Sequence, residues 1–178
     1  ISVRSDSSGS YPRFVSFDTL LRIDNIGKGV AYEGGFRLQG STVYGFGSRN
    51  RPARIDISDQ SGQRVFTGLS PNFAIRQGER IGSRQVESSI YFGNDSLYHP
   101  SLNLRYDIQE RKFNLKRNEE GTGRNPFYDS YHQVNIDVET VDWIVGSDSL
   151  LVGKKTIGFS DTRGQAEFES LKYYEEAD

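Results

Sequence analysis

The sequence contains no cysteine and no methionine among its 178 residues. The lack of cysteine excludes disulfide frameworks, thiolate nucleophiles, cysteine-ligated zinc sites and iron–sulfur clusters. No apolar run approaches the ~18 residues that a membrane-spanning helix needs. The charge is nearly balanced, with 22 basic and 24 acidic side chains, which argues against a nucleic-acid-binding footprint or a polybasic membrane anchor. Because the first residue is Ile1, we expect a processed or excised segment of a larger protein.

Helix formers are also scarce, since the chain has only five alanines against 11 phenylalanines and 10 tyrosines. Alanine favours helices, whereas aromatic and β-branched residues favour strands. Apolar residues instead alternate with polar ones, as in a strand with one buried face. The clearest alternating runs are Val30/Tyr32, Ala53/Ile55/Ile57, Leu102/Leu104/Tyr106/Ile108, Val134/Ile136/Val138 and Val141/Trp143/Val145.

This patterning predicts an all-β fold of mainly antiparallel strands in layered sheets, either β-solenoid-like or a β-sandwich. We expect residues 1–178 to form a single domain or segment, with residues 1–12 frayed. The tail from Ala166 to Tyr174 fits either one short C-terminal helix or a last strand. Gly34-Gly35 predicts a bulge, and Ser61-Gly62 predicts a hairpin tip.

A short internal repeat spans residues 88–106 and 141–159. Gly93-Asn94-Asp95-Ser96-Leu97 is similar to Gly146-Ser147-Asp148-Ser149-Leu150, and the apolar flanks match in the same register. Each copy predicts a strand, a turn and a strand, and the pair predicts two similar β units that stack or pair. The tripeptide beginning at Asn94 also matches a glycosylation sequon, whose use the sequence does not decide.

Charge is distributed unevenly along the chain. Residues 37–84 carry eight arginines against three acids, a net charge of +5, and residues 126–178 carry four bases against eleven acids, a net charge of −7. Such segments either are ordinary solvated faces or attract each other, within the fold or between copies or neighbouring domains.

Catalytic and metal-binding patterns are weak. The two histidines, His99 and His132, are not accompanied by a Gly-x-Ser-x-Gly motif, so a serine triad is not predicted. His99 precedes a proline and fits a strand-edge position. His99, His132, Asp95 and Asp129 lack the tight spacing of a metal site, so we assign no metal and no cofactor.

Two carbohydrate-related alternatives remain. Asp137 and Glu139 share one strand face in this pattern, and such carboxylates are the chemistry of a glycoside hydrolase if they flank a cleft. Alternatively, Tyr128, Tyr131 and Trp143 are candidate contacts of a carbohydrate-binding β-sandwich, because exposed aromatic rings on a rigid sheet bind sugars.

The segments 95–106, 113–117, 126–132 and 167–170 resemble parts of very large, exported, β-rich bacterial envelope proteins. The resemblance covers roughly residues 30–174 and implies export and a structural role, without a catalytic residue. We therefore expect a non-catalytic structural or protein-interaction segment of a larger extracytoplasmic protein. Its expected partners are neighbouring domains of the same protein or other envelope proteins, and a glycan in the alternative.

Overall fold

A computed structural model describes residues 14–15, 21–48, 50–76, 78–153 and 167–170 of the chain. These residues form fifteen strands joined in one sheet, in which every pairing between strands is antiparallel. The prediction of an all-β, mainly antiparallel fold is confirmed. A β-solenoid stacks its coils in parallel, so this antiparallel order favours the other predicted arrangement, the β-sandwich.

The strands are mostly short, but three of them reach ten or thirteen residues. In chain order they are β1 (Phe14–Val15), β2 (Leu21–Gly27), β3 (Val30–Gln39), β4 (Thr42–Phe46), β5 (Ala53–Ser58), β6 (Arg64–Ser70), β7 (Asn72–Arg76), β8 (Arg80–Phe92), β9 (Asp95–Asp107), β10 (Lys112–Arg117), β11 (Phe127–Asp129), β12 (Val134–Asp137), β13 (Thr140–Ile144), β14 (Leu151–Gly153) and β15 (Glu167–Ser170). A single 3₁₀ turn, Gly121–Arg124, lies between β10 and β11.

The three long strands, β3, β8 and β9, each change partners part-way along. β3 pairs with β2 and β5 through its first half and with β1 and β4 through its second half. β8 pairs first with β7 and later with β6. β9 pairs first with β11 and later with β10. These strands therefore connect two layers of sheet.

The first layer contains β2, β5, β6, β11, β12 and β15, and the second contains β1, β4, β7, β10, β13 and β14. The order β8-β6-β5-β3-β4-β7 returns to β8, so these six strands form a closed ring. Beyond the ring, both layers continue from β9 as two branches. The first branch contains β11, β12 and β15, and the second contains β10, β13 and β14. A closed ring has no free strand edges of its own, which removes the usual risk of edge-to-edge association there.

Backbone irregularities occur where the long strands bend. Gly34, with a φ of 150°, and Gly35 lie where β3 passes from β5 to β4. A Cβ on Gly35 would lie 2.4 Å from the Phe46 ring, so any other residue there would require the ring to move. At this glycine pair, where the sequence predicts a bulge, β3 changes its partner strand. The register shift in the pairing of β3 lies against β2, between Ile23 and Gly27 of β2. The bend of β8 coincides with two register shifts between Ser83 and Ser88.

The inner faces of the two layers enclose a continuous hydrophobic core. Phe66 of the first layer packs on Phe113 of the second, with ring centroids 4.6 Å apart. Phe113 also contacts Tyr106 at 4.5 Å and stacks on Trp143 at 5.5 Å. The aromatic contacts therefore link the ring of strands to the branch that contains β13.

Several local predictions are resolved by these elements. The hairpin tip at Ser61-Gly62 is confirmed between β5 and β6, where Asp59 accepts hydrogen bonds from the backbone N–H of Ser61 and Gln63. Residues 167–170 form a strand paired with β12, so the helix alternative is wrong for this part of the tail. The rest of the tail lies outside the described residues, as do residues 1–12.

The two copies of the repeat differ in structure. Gly93 and Asn94 form a two-residue turn between the paired residues Phe92 and Asp95. In the second copy, the last pair before the loop is Asp142 with Leu151, so eight residues separate the partners. The expectation of two similar units is therefore wrong for the turns. The final part of the second copy, from residue 154, lies outside the described residues.

Candidate functional site

An apolar cleft lies between the two branches that extend beyond β9. Its volume is about 400 Å³, within the ~300–1,000 Å³ range of ligand pockets. The first branch supplies β11 and β12 to one wall, and the second supplies β13 and β14 to the other. The apolar lining consists of Phe92, Leu97, Phe127, Ile136, Val138, Val141, Leu150 and Val152.

His99 lies at the point where the two branches separate on β9. Its side chain is fully buried, and its ring packs on Phe127 with centroids 4.7 Å apart. Nδ1 accepts a hydrogen bond from the Ser101 N–H at 3.0 Å, so Nε2 donates to the Asn125 carbonyl oxygen at 2.8 Å. Burial lowers the pKa of His99 to about 4, which keeps the ring neutral at neutral pH. His99 thus holds the 125–127 segment, and with it one wall of the cleft, against β9.

Polar residues line the cleft near the turn that follows β11. The carboxylates of Asp95 and Asp129 and the ring of His132 all contribute to the lining. His132 Nδ1 donates to Asp129 at 2.6 Å, and Ser130 Oγ donates to Asp95 at 3.0 Å while accepting from the Ser96 N–H. This network joins the β8–β9 hairpin to the β11–β12 turn. The cleft therefore combines an apolar interior with an acidic rim.

The last strand of the second branch, β14, lies beside the cleft. β14 pairs with β13, and within the described ranges its other edge has no partner strand. Val152 is opposite Val141 and faces the cleft, whereas Leu151 points to the other side. Both side chains are exposed, Leu151 to 71% and Val152 to 43%.

The structure separates the three aromatic residues that the sequence put forward as ligand contacts. Trp143 is only 4% exposed, and its Nε1 donates to the Ser147 carbonyl oxygen at 3.1 Å. Tyr128 is half-buried on β11 and faces away from its neighbour Phe127, which lines the cleft. Tyr131 is 69% exposed and lines the cleft. The three rings therefore do not form one platform, and Trp143 is a core residue rather than an exposed one.

The carboxylates considered for glycoside hydrolysis also differ from their predicted arrangement. Asp137 ends β12 and forms an ion pair with Arg117, whereas Glu139 lies in the connection to β13. The Glu139 backbone bridges Arg117 and Gly153 through hydrogen bonds. Neither residue belongs to the lining of the cleft. Asp137 and Glu139 consequently do not share one strand face across a cleft.

Of the four residues considered for metal binding, three line the same cleft: Asp95, Asp129 and His132. His99 uses both ring nitrogens for the hydrogen bonds described above, and it is buried within β9 rather than at a strand edge. In the parts of the chain that the structure describes, no group of three or more such side chains is placed to hold a metal ion.

The sequence patterns point to Tyr131 as a ligand contact but do not predict the cleft that it lines. The lining comes from six strands and their connections, and its members lie up to sixty residues apart in the chain. The alternation of Val141 and Trp143 marks both as inward-facing, but it does not say that one faces a cleft and the other a packed core.

No protein-family model matches this chain, and no curated protein or solved structure matches it either. Over the described ranges, no helix has the length and hydrophobicity needed to cross a bilayer.

Proposed function

We propose that this chain is a non-catalytic protein-interaction segment of a larger extracytoplasmic protein. In this proposal, the cleft receives apolar side chains from an extended segment of a neighbouring domain or partner protein. The observation that carries it is the position of an apolar cavity of about 400 Å³ directly beside β14. An extended peptide that pairs with a strand edge inserts alternate side chains on one side.

The rim indicates the chemistry of such a partner. Asp95 and Asp129 place carboxylates at the polar side of the cleft, and the sequence from residue 126 onward carries a net charge of −7. Charge complementarity favours a partner with basic residues beside its apolar ones. We therefore infer an extended segment in which large apolar residues alternate with lysine or arginine.

The polar groups that were candidates for catalysis support a non-catalytic role. His99 is held neutral and buried by two hydrogen bonds, and Asp137 pairs with Arg117. Each of these groups joins neighbouring segments of the fold. The extracytoplasmic location stays a prediction that depends on the resemblance to envelope proteins. The burial of Trp143 and the pairing of Asp137 leave the two carbohydrate alternatives with weaker support.

The test uses a short synthetic peptide in which leucine and lysine alternate. Trp143, the only tryptophan, packs edge-on against Phe92 of the cleft at 5.9 Å, so its fluorescence reports binding there. We expect saturable binding of this peptide and none of a serine–lysine peptide. Val152→Arg should weaken binding about tenfold or more, because it blocks the cleft with a cation and removes the contact of one large side chain.

Leu151→Arg is the matched control, because it adds the same charge one residue away on the opposite side of β14. It should change the affinity by much less than Val152→Arg. Equal effects of the two variants, or tighter binding of a leucine–glutamate peptide, would contradict the proposed site. Failure of the leucine–lysine peptide to bind would also overturn it.

A further inference from the structure

A second, polar surface lies outside the cleft, along β4, β7, β8, β9 and β10. Its side chains line an open trough of about 1880 Å³, which shares no lining residue with the cleft. Five exposed cations line it: Arg76, Arg80, Arg84, Arg105 and Lys116. They come from four neighbouring strands, so the sheet brings together charges that are up to forty residues apart in the chain.

Among the residues that the structure describes, most of these cations have no acidic partner. Arg76 pairs with Glu79 at 3.3 Å, but within the described ranges the other four form no ion pair. The Asp107 carboxylate is the nearest acid in register with Arg80, and it accepts hydrogen bonds from the Gln109 and Glu110 N–H groups instead. Positive charge is therefore available to a ligand.

Two of the arginines lie opposite each other in the sheet, and among the described residues only Arg76 of the two forms an ion pair. Arg76 and Arg80 are directly opposite each other on β7 and β8, and like charges in this position destabilise a sheet. An anion that binds both guanidinium groups would remove this repulsion.

Small and neutral residues separate the cations along the trough. One row across the sheet runs from Tyr44 through Ala74 and Gly82 to Arg105. A Cβ on Gly82 would have only the Leu104 carbonyl oxygen within 4 Å, at 3.7 Å, so the space above it is open. Asn72 and Asn103 add neutral hydrogen-bonding groups to the lining.

The trough is not uniformly basic. Glu87, Glu119 and Glu120 also belong to its lining. Glu87 accepts a hydrogen bond from the Tyr98 hydroxyl at 3.3 Å, and the other two lie together beside the 3₁₀ turn. The arginines of β7, β8 and β9 form a cationic strip, in which Arg76 pairs with Glu79 and Asp107 lies opposite Arg80.

We propose that this strip binds an anionic polysaccharide. Planar guanidinium groups bind carboxylate or sulfate oxygens in a bidentate manner, and the asparagine amides between them suit sugar hydroxyl groups. Single-stranded nucleic acid is the weaker candidate, since base stacking uses successive exposed aromatic rings. Of the two aromatic rings in the lining, Phe73 is buried, and Tyr44 already has the Arg37 guanidinium over its face at 5.3 Å. The site is independent of the cleft and of the function proposed for it.

The experiment measures binding of the full chain to two probes, polygalacturonate for carboxylate groups and dextran sulfate for sulfate groups. We expect at least one to bind, with an affinity that falls as salt rises because bound counterions are released. Uncharged dextran should not bind. The double variant Arg80→Gln, Arg105→Gln should weaken binding about tenfold, which corresponds to about 1.4 kcal/mol, and should reduce the dependence on salt.

The control variant combines Arg22→Gln and Lys28→Gln, which removes the same charge from exposed positions at the start of β2 and in the β2–β3 turn. It should bind as the unmodified chain does. Equal loss in both double variants would mean attraction to net charge alone and would overturn the site. Absence of binding to both acidic probes, or tighter binding of a thymidine oligonucleotide, would overturn the polysaccharide assignment. The thermal unfolding midpoints of both variants should match that of the unmodified chain, which would establish that each is folded.

Discussion

Single residues hold the two branches of the fold in place, and His99 shows this most clearly. The imidazole lies in the middle of β9, with one nitrogen accepting and the other donating a hydrogen bond. Its neutral form satisfies both partners. A protonated ring would carry a buried charge and would lose the ability to accept from the Ser101 N–H group.

This arrangement makes stability depend on pH. Burial lowers the pKa of His99 from 6.5 to about 4 in the folded chain. Between these values, the unfolded chain binds a proton that the folded chain does not, so stability falls as the pH decreases. We expect the His99 contribution to be complete above about pH 6.5 and to decrease by up to about 1.4 kcal/mol for each pH unit towards 4.

Urea unfolding of the unmodified chain and of His99→Gln at several pH values tests this prediction. The difference in the free energy of unfolding between the two proteins should shrink as the pH falls from 6.5 to 4. His132→Gln is the comparison variant, because it removes the exposed histidine and leaves His99 and its two hydrogen bonds in place. A constant difference between the unmodified chain and His99→Gln would show that His99 titrates normally in the folded state.

At the scale of elements, the bends in the long strands require close packing between the two layers. Tyr32 of β3 donates a hydrogen bond from its hydroxyl to the Gly35 carbonyl oxygen at 2.5 Å, and burial raises its pKa to about 12. Its ring lies over Gly45 of β4. A Cβ at Gly45 would lie 2.7 Å from the Tyr32 hydroxyl oxygen and from one of its ring carbons, so the glycine leaves room for the tyrosine.

We expect Gly45→Ala to destabilise the chain by about 1–3 kcal/mol, the usual cost of overpacking a core. Gly82→Ala is the matched control, because it also adds one methyl group to a strand glycine but in open space. Its effect should stay within about 0.5 kcal/mol. Chemical denaturation measures both, and equal stability of the two variants would contradict the close approach of β4 to Tyr32.

At the scale of the whole molecule, one core joins the closed ring to its extension. Phe66 belongs to the ring, Phe113 lies on β10, and Trp143 lies on β13, and their side chains pack in succession. No described strand group has a separate core. This continuity predicts that the ring and the branches unfold together.

The unfolding transition of the full chain tests this continuity. Far-ultraviolet circular dichroism follows all strands, whereas fluorescence follows Trp143 in the extension alone. We expect the two transitions to coincide, and Phe113→Ala to lower both midpoints together, with a loss of about 3–5 kcal/mol. Loss of the tryptophan signal before the circular dichroism signal would show that the extension unfolds as a separate unit.

The sequence by itself determined the strand content, the inward face of most strands and several turns, because these depend on neighbours in the chain. The alternation of Leu102, Leu104 and Tyr106 identifies a buried face, and all three residues are buried. Alternation states which side of a strand is apolar, but it does not state which strand lies beside it. For this reason the sequence left solenoid and sandwich open.

Only the tertiary structure decided where β3, β8 and β9 change partners. It also decided that a cleft remains between the two branches beyond β9. Phe92 and Val152 face one cleft although sixty residues separate them, and Arg80 and Arg105 line one trough from neighbouring strands. Trp143 shows the same limit, since its residue type fits a ligand contact but its position makes it core. These arrangements depend on long-range pairing and packing, which no local pattern in the chain specifies.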